Sequence, residues 1–307
     1  MIVVRGMDPL NRILIAILRR LPENLIKPVA LRYIAGENLE DALRVVGNLN
    51  VRQMMATIDA LGENVSTREE SLQAVQACER ALQAIREKNL DSNLSIKLSQ
   101  FGVKIDDAFC RENVKRILRT ARSCGNFVRI DMEDSSLTSR TLKLYGIMRG
   151  EGFENLGVVI QACLRRSETD VKTLIRNQVN VRVVKGIYVE SETIALKDRE
   201  EVRRNYLKLL QMLLKTGSYV GIATHDDFLV EGAYQYIREM NLPRTVYEFQ
   251  MLYGVRAKLR DQIVADGHRM RIYIPFGKHW HSYSLRRFQE NPQIARYVLQ
   301  ALLFRNH

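Results

Sequence analysis

The feature that most restricts the fold of this 307-residue chain is a regular alternation of short apolar segments with longer segments of helical periodicity. The apolar segments are rich in β-branched residues and predict strands, and in the segments between them apolar residues recur every three or four positions. Strands that alternate with helices pair in parallel. Eight such units predict a (β/α)8 barrel of the TIM type. The predicted strands are 53–59, 94–98, 127–132, 157–161, 181–185, 219–224, 247–252 and 270–275. The predicted helices are 68–87, 111–124, 136–150, 168–177, 200–216, 229–240, 258–265 and 284–304.

The open alternative to a barrel is a doubly wound sheet, which usually carries a glycine-rich dinucleotide fingerprint after its first strand. Neither that fingerprint, G-x-G-x-x-G, nor the phosphate-binding pattern G-x-x-x-x-G-K-[ST] occurs in the sequence, so the barrel is favoured. We predict two regions: an N-terminal helical segment, 1–50, packed on the barrel, and a catalytic barrel, 51–307. The barrel region includes a C-terminal helix that lies over the mouth.

The net charge of +12 is concentrated at the two ends of the chain, with +4 in residues 1–36 and +7 in residues 251–307. Basic ends suit an anionic partner, and solubility alone is the alternative explanation. No RNA- or DNA-binding motif accompanies the charge, so nucleic acid is not predicted as a partner. The four cysteines form no C-x-x-C pair, and we find no secretory signal or membrane span. The sequence therefore predicts a cytoplasmic protein.

Polar residues stand at or just beyond the end of every predicted strand. In a (β/α)8 barrel the C-terminal strand ends form the active site, and burying these side chains without partners would be costly. Their convergence on one mouth indicates a functional site. Each can instead cap a helix or pair with a neighbour, and the residues alone leave that alternative open. In chain order these residues are Asp59, Glu63, Lys97, Asp131, Glu133, Asp134, Gln161, Arg182, Lys185, Thr224, His225, Asp226, Gln250 and Tyr273.

Two adjacent arginines, Arg286 and Arg287, lie in the last predicted helix. Consecutive helical residues point about 100° apart, so both guanidinium groups can still reach one small anion. Their planar donors match a carboxylate or a phosphate, and Tyr283 lies one turn earlier on the same face as Arg286. These residues predict an anion site, with solvation of a surface helix as the alternative. His279 and His281 have H-x-H spacing without a third ligand, so no metal is predicted.

Taken in order, the strand-end motifs resemble those of the bacterial single-function proline dehydrogenases. The resemblance implies a distorted (β/α)8 barrel that holds FAD without a Rossmann motif. It implies oxidation of L-proline to Δ1-pyrroline-5-carboxylate by hydride transfer from C5 to FAD N5, with the electrons passed to a membrane quinone. This is the first step of proline catabolism to glutamate. The motifs are SIKL at 95–98, RIDMED at 129–134, VIQA at 159–162, VRVVKGIY at 181–188, ATHD at 223–226, YEFQMLYG at 247–254, RIYIPFG at 271–277 and Y-x-x-R-R at 283–287.

The same resemblance implies roles for individual residues. Asp131 and Arg182 are the catalytic residues, with Asp131 on the amine side of the substrate and Arg182 beside flavin N5. Glu63 resembles a carboxylate that pairs with Arg286 and gates the site. The implied substrate-binding residues are Lys97, Tyr188, Leu252, Tyr273, Tyr283, Arg286 and Arg287. The implied cofactor-binding residues are Met132, Gln161, Lys185, Gly186, Ile187, Thr224, His225, Gln250 and Glu290.

One segment departs from the family pattern. His281 and Ser282 stand where many relatives have an aromatic residue and a proline, at the rim of the predicted site. A Schiff-base aldolase with Lys185 or Lys97 as its nucleophile is the alternative barrel enzyme.

The resemblance does not explain the basic ends of the chain. We hypothesise that they contact an anionic membrane peripherally, on the inner face of the cell membrane.

Overall fold

The computed structural model describes residues 26–27, 30–62, 64–176, 178–281 and 283–284. Eight parallel strands close into a barrel in which neighbours in the sequence are neighbours in the sheet, and the last strand pairs with the first. The predicted (β/α)8 fold is confirmed. The strands are β1 Met55–Ala60, β2 Ser92–Ile96, β3 Val128–Ile130, β4 Leu156–Gln161, β5 Asn180–Val184, β6 Tyr219–Ala223, β7 Tyr247–Leu252 and β8 Met270–Phe276.

Of the eight helices whose full bounds the structure describes, one precedes the barrel and seven connect consecutive strands. Several begin at a side chain that caps the free backbone N–H groups of the first turn. Thr67 and Glu70 form a capping box at the start of α2, and Asp106 accepts a hydrogen bond from the backbone N–H of Phe109 in α3. The helices are α1 Leu39–Val51, α2 Arg68–Glu87, α3 Asp107–Ser123, α4 Ser135–Gly150, α5 Ser167–Leu174, α6 Arg199–Leu214, α7 Asp227–Glu239 and α8 Ala257–Ala265.

Several predicted boundaries shift by a few residues, and two of these shifts have a clear local cause. Strand β2 ends at Ile96 rather than at 98, because Leu98–Gln100 forms a turn of 3-10 helix directly after it. Helix α3 begins four residues before the predicted start, because Asp106 supplies its N-cap. Of the predicted last helix, 284–304, only Ser284 belongs to the described residues.

The segment before α1 runs along the last strand. The backbone N–H of Ala35 donates to the Pro275 carbonyl over 2.9 Å, and the N–H of Gly277 donates to the Gly36 carbonyl over 3.0 Å. Helix α1 then packs against β1 and β8. The division of the chain at residue 50 stays a prediction, and residues 1–25 lie outside the described ranges. Within those ranges, no helix is both long and apolar enough to cross a bilayer.

Side chains alternate between the two faces of each strand, which separates the molecule into an apolar shell and a polar axis. The shell lies between strands and helices and contains fully buried aliphatic side chains, each of which stabilises the fold by about 1.5–3 kcal/mol. Examples are Ile58, Leu94, Ile130, Val158, Val183 and Ile222. Many inward positions are charged or polar instead, among them Asp59, Lys97 and Arg182, so the barrel axis holds the chemistry.

Candidate active site

Asp131 is the centre of a buried hydrogen-bonded cluster at the C-terminal ends of the strands. Its Oδ1 accepts hydrogen bonds from Arg182 NH1 over 2.6 Å and from Ser95 Oγ over 3.1 Å. Its Oδ2 accepts from the Tyr273 hydroxyl over 2.7 Å. Asp131 follows β3, whereas the three donors come from β5, β2 and β8. The cluster therefore depends on closure of the whole barrel.

Lys97 forms the second part of this cluster. Its Nζ lies 2.7 Å from Asp59 Oδ2, 3.4 Å from the Tyr273 hydroxyl and 3.9 Å from Asp131 Oδ2. Asp59 is completely buried, and burial raises the pKa of its carboxyl although Lys97 beside it acts in the opposite direction. Asp59 Oδ1 has no hydrogen-bond partner in the described part of the chain. Lys97 is therefore held between one carboxylate below it and another at the mouth.

Tyr273 joins the two carboxylates. Burial raises the pKa of its hydroxyl well above the ordinary value, and the charges of Asp131 and Asp59 raise it further. The hydroxyl stays protonated and donates to Asp131. The ring also faces the Arg182 guanidinium, whose central carbon lies 5.3 Å from the ring centroid. Tyr273 thus fixes both a negative and a positive group of the site.

Below Arg182 the polar axis continues towards the opposite end of the barrel. Arg182 Nε donates to Gln250 Oε1 over 2.5 Å, and Gln250 Nε2 donates to Glu248 Oε1 over 2.6 Å. Glu248 also accepts from Arg271 Nε and from the Tyr219 hydroxyl, each over 2.7 Å. Glu248 and Arg271 are not among the predicted site residues, because they stand early in their strands, away from the mouth. The direct contact of Gln250 with FAD stays a prediction.

A second charged cluster lies at the rim beside β5 and β6. Asp226 Oδ2 accepts from Lys185 Nζ over 3.2 Å and from Arg203 Nε over 3.0 Å, and Asp226 Oδ1 accepts from Arg203 NH2 over 2.7 Å. Burial alone would raise the pKa of Asp226, but Arg203 and Lys185 outweigh it and hold the pKa at about 2. The Arg203 guanidinium stacks on Phe228. Arg203 lies inside helix α6, where no sequence signal marked it.

The loop between β5 and α6 carries several of the predicted contact residues. Gly186 has a φ of 97°, and a Cβ there would overlap the Cys163 sulfur, so only glycine fits. Ile187 is 43% exposed, and Tyr188 is half-buried. Glu190 anchors the loop to the start of α4 by accepting hydrogen bonds from Ser135 N and Oγ over 2.7 and 2.6 Å.

Predicted residues at neighbouring strand ends are tied to the backbone. The backbone N–H of Leu252 donates to His225 Nε2 over 2.9 Å, so the ring proton of neutral His225 lies on Nδ1. Thr224 Oγ1 accepts from the Asp226 N–H over 3.1 Å. Gln161 Nε2 donates to the Glu133 carbonyl over 2.9 Å, and Met132 is buried beside Asp131. Their roles towards a ligand stay predictions.

The remaining predicted residues lie near the end of the described chain. Tyr283 is buried and lines a cavity of about 510 Å³ together with Gly62, Gln100 and His279. This cavity adjoins the loop after β1 and does not include the Asp131 cluster among its lining residues. The predicted gate and part of the predicted clamp and cofactor set lie outside the described residues: Glu63, Arg286, Arg287 and Glu290.

The rim offers what a flat ring system with an anionic chain would need. Lys185 and Arg203 are cations that can bond phosphate oxygens, and the Lys185 side chain is 41% exposed. Ile187 and Phe228 expose apolar surface next to them. The donor set and the apolar surface therefore fit a flavin dinucleotide. The first cluster, with a cation and a carboxylate close together, fits a small zwitterion.

Comparison with known proteins identifies the family. The proline dehydrogenase family model matches residues 42–300. Proline dehydrogenase 1 of Bacillus subtilis subsp. natto is 39% identical over 274 residues, which cover 89% of this chain and 90% of that protein. Proline dehydrogenase of Deinococcus radiodurans is 34% identical over 279 residues, which cover 90% of each chain.

A solved structure agrees with these sequence matches. Proline utilization A from Bdellovibrio bacteriovorus, inactivated by N-propargylglycine, superposes with a TM-score of 0.82 at 26% identity. The match covers 87% of this chain and 33% of that one, so this chain spans about a third of the larger protein. The resemblance predicted from the strand-end motifs is confirmed, and the chain belongs to the proline dehydrogenase family.

Proposed function

We propose that this protein oxidises L-proline to Δ1-pyrroline-5-carboxylate. The hydride leaves C5 of proline and passes to FAD, and a membrane quinone is the final electron acceptor. Family membership supports the coarser part, the oxidation of proline in proline catabolism. The observation that carries the proposal is the buried cluster of Lys97, Asp131, Arg182 and Tyr273 at the barrel mouth.

The cluster matches the two charges of an amino acid. Lys97 Nζ and Asp131 Oδ2 are 3.9 Å apart, and an α-amino acid carries its carboxylate and its nitrogen on one carbon atom. Lys97 holds the carboxylate, with Arg286 and Arg287 completing the clamp. Asp131 holds the nitrogen and stabilises the positive charge that develops there as the hydride leaves. Tyr273, Tyr188 and Leu252 then enclose the ring.

The residues at the rim hold the cofactor in this proposal. Bound FAD supplies the two-electron acceptor that protein side chains lack. Lys185, Thr224 and His225 bind on the phosphate side, with Arg203 beside them, and Gly186 and Ile187 line the ring. Arg182 lies nearer the reacting atoms, where a fixed cation raises the electron affinity of its neighbour. We expect the FAD contacts of Met132, Gln161, Gln250 and Glu290 from the family resemblance alone.

The Schiff-base alternative is less well supported. Its nucleophile must be an unprotonated lysine. Lys97 Nζ donates to Asp59 over 2.7 Å, and Lys185 Nζ donates to Asp226 over 3.2 Å, so a carboxylate partner holds each amine in place. Neither lysine is therefore prepared to attack a carbonyl.

A product assay separates the two reactions. We expect the purified protein, supplied with FAD and a dye that accepts electrons, to convert L-proline into a cyclic imine that o-aminobenzaldehyde traps as a coloured adduct. Dye reduction and adduct should appear in equal amounts. An aldolase would instead reduce no dye, and borohydride would fix its substrate covalently to Lys97 or Lys185.

The membrane part of the proposal rests on the basic ends of the chain, which carry +4 and +7. An anionic bilayer attracts such segments, and the quinone is dissolved in that bilayer. We expect the protein to sediment with anionic vesicles at low salt and much less with neutral vesicles. Equal binding to both would contradict peripheral docking by charge.

A further inference from the structure

We infer that Gln250 is a positioning residue for Arg182, held in place by Glu248 below it and by the space that Gly221 leaves beside it. In this arrangement the barrel axis sets the orientation of the guanidinium and thereby the electron affinity of the bound flavin. The inference rests on the proposed function, because its test measures the reduction of the bound flavin.

The Gln250 amide has one possible orientation. Its oxygen must face Arg182 Nε, which only donates, and its nitrogen must face the Glu248 carboxylate, which only accepts. All three side chains are at least nine-tenths buried, so water does not replace either bond. Glu248 is itself fixed from below by Arg271 and Tyr219. We call Arg271, Tyr219, Glu248 and Gln250 the column. Through its hydrogen bonds the column fixes the position of Arg182 from the base of the barrel upwards.

Two bonds then fix the plane of the guanidinium. Gln250 takes the Nε edge, and Asp131 Oδ1 takes NH1 over 2.6 Å. A planar group held at two edges cannot rotate about its side chain. Without Gln250, the Nε edge would lose its acceptor, and Asp131 with the longer 3.5 Å contacts to Ser95 Oγ would hold only the terminal nitrogens. The cation would then be free to tilt away from its position.

Gly221 on β6 provides the space for the amide. It is paired in register with both Arg182 and Glu248, and a Cβ at this position would lie 2.5 Å from Gln250 Nε2. Its backbone conformation is not one that requires glycine, since Gly221 is absent from the glycines with positive φ. Glycine at position 221 therefore leaves room for the Gln250 amide and is not required by the backbone conformation of β6.

Three variants of the flavin-loaded protein test the inference, with the surface substitution Gln262→Met as the matched control. Gln250→Met removes both bonds of the amide while keeping its length. Gly221→Ala displaces the Gln250 amide without changing residue 250 itself. The double variant Glu248→Gln/Gln250→Glu exchanges the amide and the carboxylate. Arg182 Nε keeps an acceptor, but that acceptor becomes a carboxylate oxygen of residue 250. The measurements are the ratio of reduced to oxidised flavin at equilibrium with a reference dye, and the dissociation constant for L-proline.

In Gln250→Met and Gly221→Ala we expect the flavin ratio to fall and L-proline to bind about tenfold more weakly, because Arg182 and Asp131 lose their fixed geometry. In the double variant we expect near-normal L-proline binding and a flavin ratio about tenfold lower, or about 30 mV for a two-electron couple. A carboxylate on Arg182 weakens the positive field of that residue.

The experiment distinguishes a failure of the proposed function from a failure of the inference about Gln250. If the unaltered protein takes up no FAD, or if L-proline does not reduce its flavin, the proposed function is wrong and this inference falls with it. If the unaltered protein is reduced by L-proline, but the three variants only melt at lower temperature with the normal ratio and the normal dissociation constant, then the column is purely structural and only this inference is overturned.

Discussion

Replacing Asp131 with asparagine is expected to lower kcat/KM for L-proline by about 10²–10³-fold while the barrel stays folded. Asparagine has the same shape and can still accept a hydrogen bond from Tyr273 or from Arg182. It lacks the negative charge that faces Lys97 and Arg182 and that stabilises positive charge on the substrate nitrogen. Steady-state kinetics with an artificial electron acceptor measure the effect.

The same substitution at Asp134 is the matched control. Asp134 lies three residues further along the same loop, where it caps α4 by accepting from the Ser136 N–H over 2.9 Å. Asparagine is as good an N-cap as aspartate, so Asp134→Asn should leave kcat/KM nearly unchanged. If Asp131→Asn proved as active as Asp134→Asn, the carboxylate at 131 would have no part in the reaction.

Replacing Lys97 with methionine is expected to destabilise the protein by about 3–5 kcal/mol at neutral pH, besides weakening the binding of L-proline. The change removes the cation that pairs with the completely buried Asp59, one of whose oxygens already lacks a partner among the described residues. Removing both charges in Lys97→Met/Asp59→Asn should restore much of the stability without restoring substrate binding. Denaturant unfolding of the single and double variants gives both free energies.

The stability that Lys97→Met loses should depend on pH in a defined direction. Burial raises the pKa of Asp59 above the ordinary value of an aspartate, and loss of Lys97 raises that pKa further. A group whose pKa is higher in the folded state binds protons more readily there, so its contribution favours folding at low pH and is lost as pH rises through the folded pKa. The destabilisation of Lys97→Met should therefore be smaller near about pH 4 than near about pH 8.

An exposed pair of nearly equal geometry provides the control. Lys172 and Glu168 on α5 lie 2.8 Å apart, against 2.7 Å for Lys97 and Asp59, but their side chains are 61% and 33% exposed, against 9% and 0%. Lys172→Met should change the free energy of unfolding little, because solvent screens an exposed pair. Equal losses at the two sites would show that Lys97 is not held as a buried charge.

The fold was predictable because its signals are local. Helix α2 was predicted at 68–87 and is found there, since Thr67 and Glu70 supply both halves of a capping box before an amphipathic segment. Strand β7 was likewise predicted at 247–252 and is found there. At two of the boundaries that moved, those of β2 and α3, the cause is a turn or a cap that hydropathy alone does not show.

The partners within the site were less predictable because they are distant in the sequence. Arg182 and Gln250 are 68 positions apart, and Lys97 and Asp59 are 38 apart. The position of each residue at a strand end placed it near the mouth, but only the closed barrel determined which groups pair. Arg203 reaches the rim from inside a helix, and Glu248 lies deep in the axis. Neither position carries a sequence pattern, so geometry alone revealed them.

The most direct test of the proposed reaction is an absorption spectrum of the FAD-loaded protein under anaerobic conditions, before and after one equivalent of L-proline. We expect the flavin bands to bleach with L-proline and to persist with D-proline, and Asp131→Asn to bleach far more slowly. A flavin that L-proline leaves oxidised would contradict proline as the substrate of this site, and a protein that takes up no FAD would contradict the flavin reaction altogether.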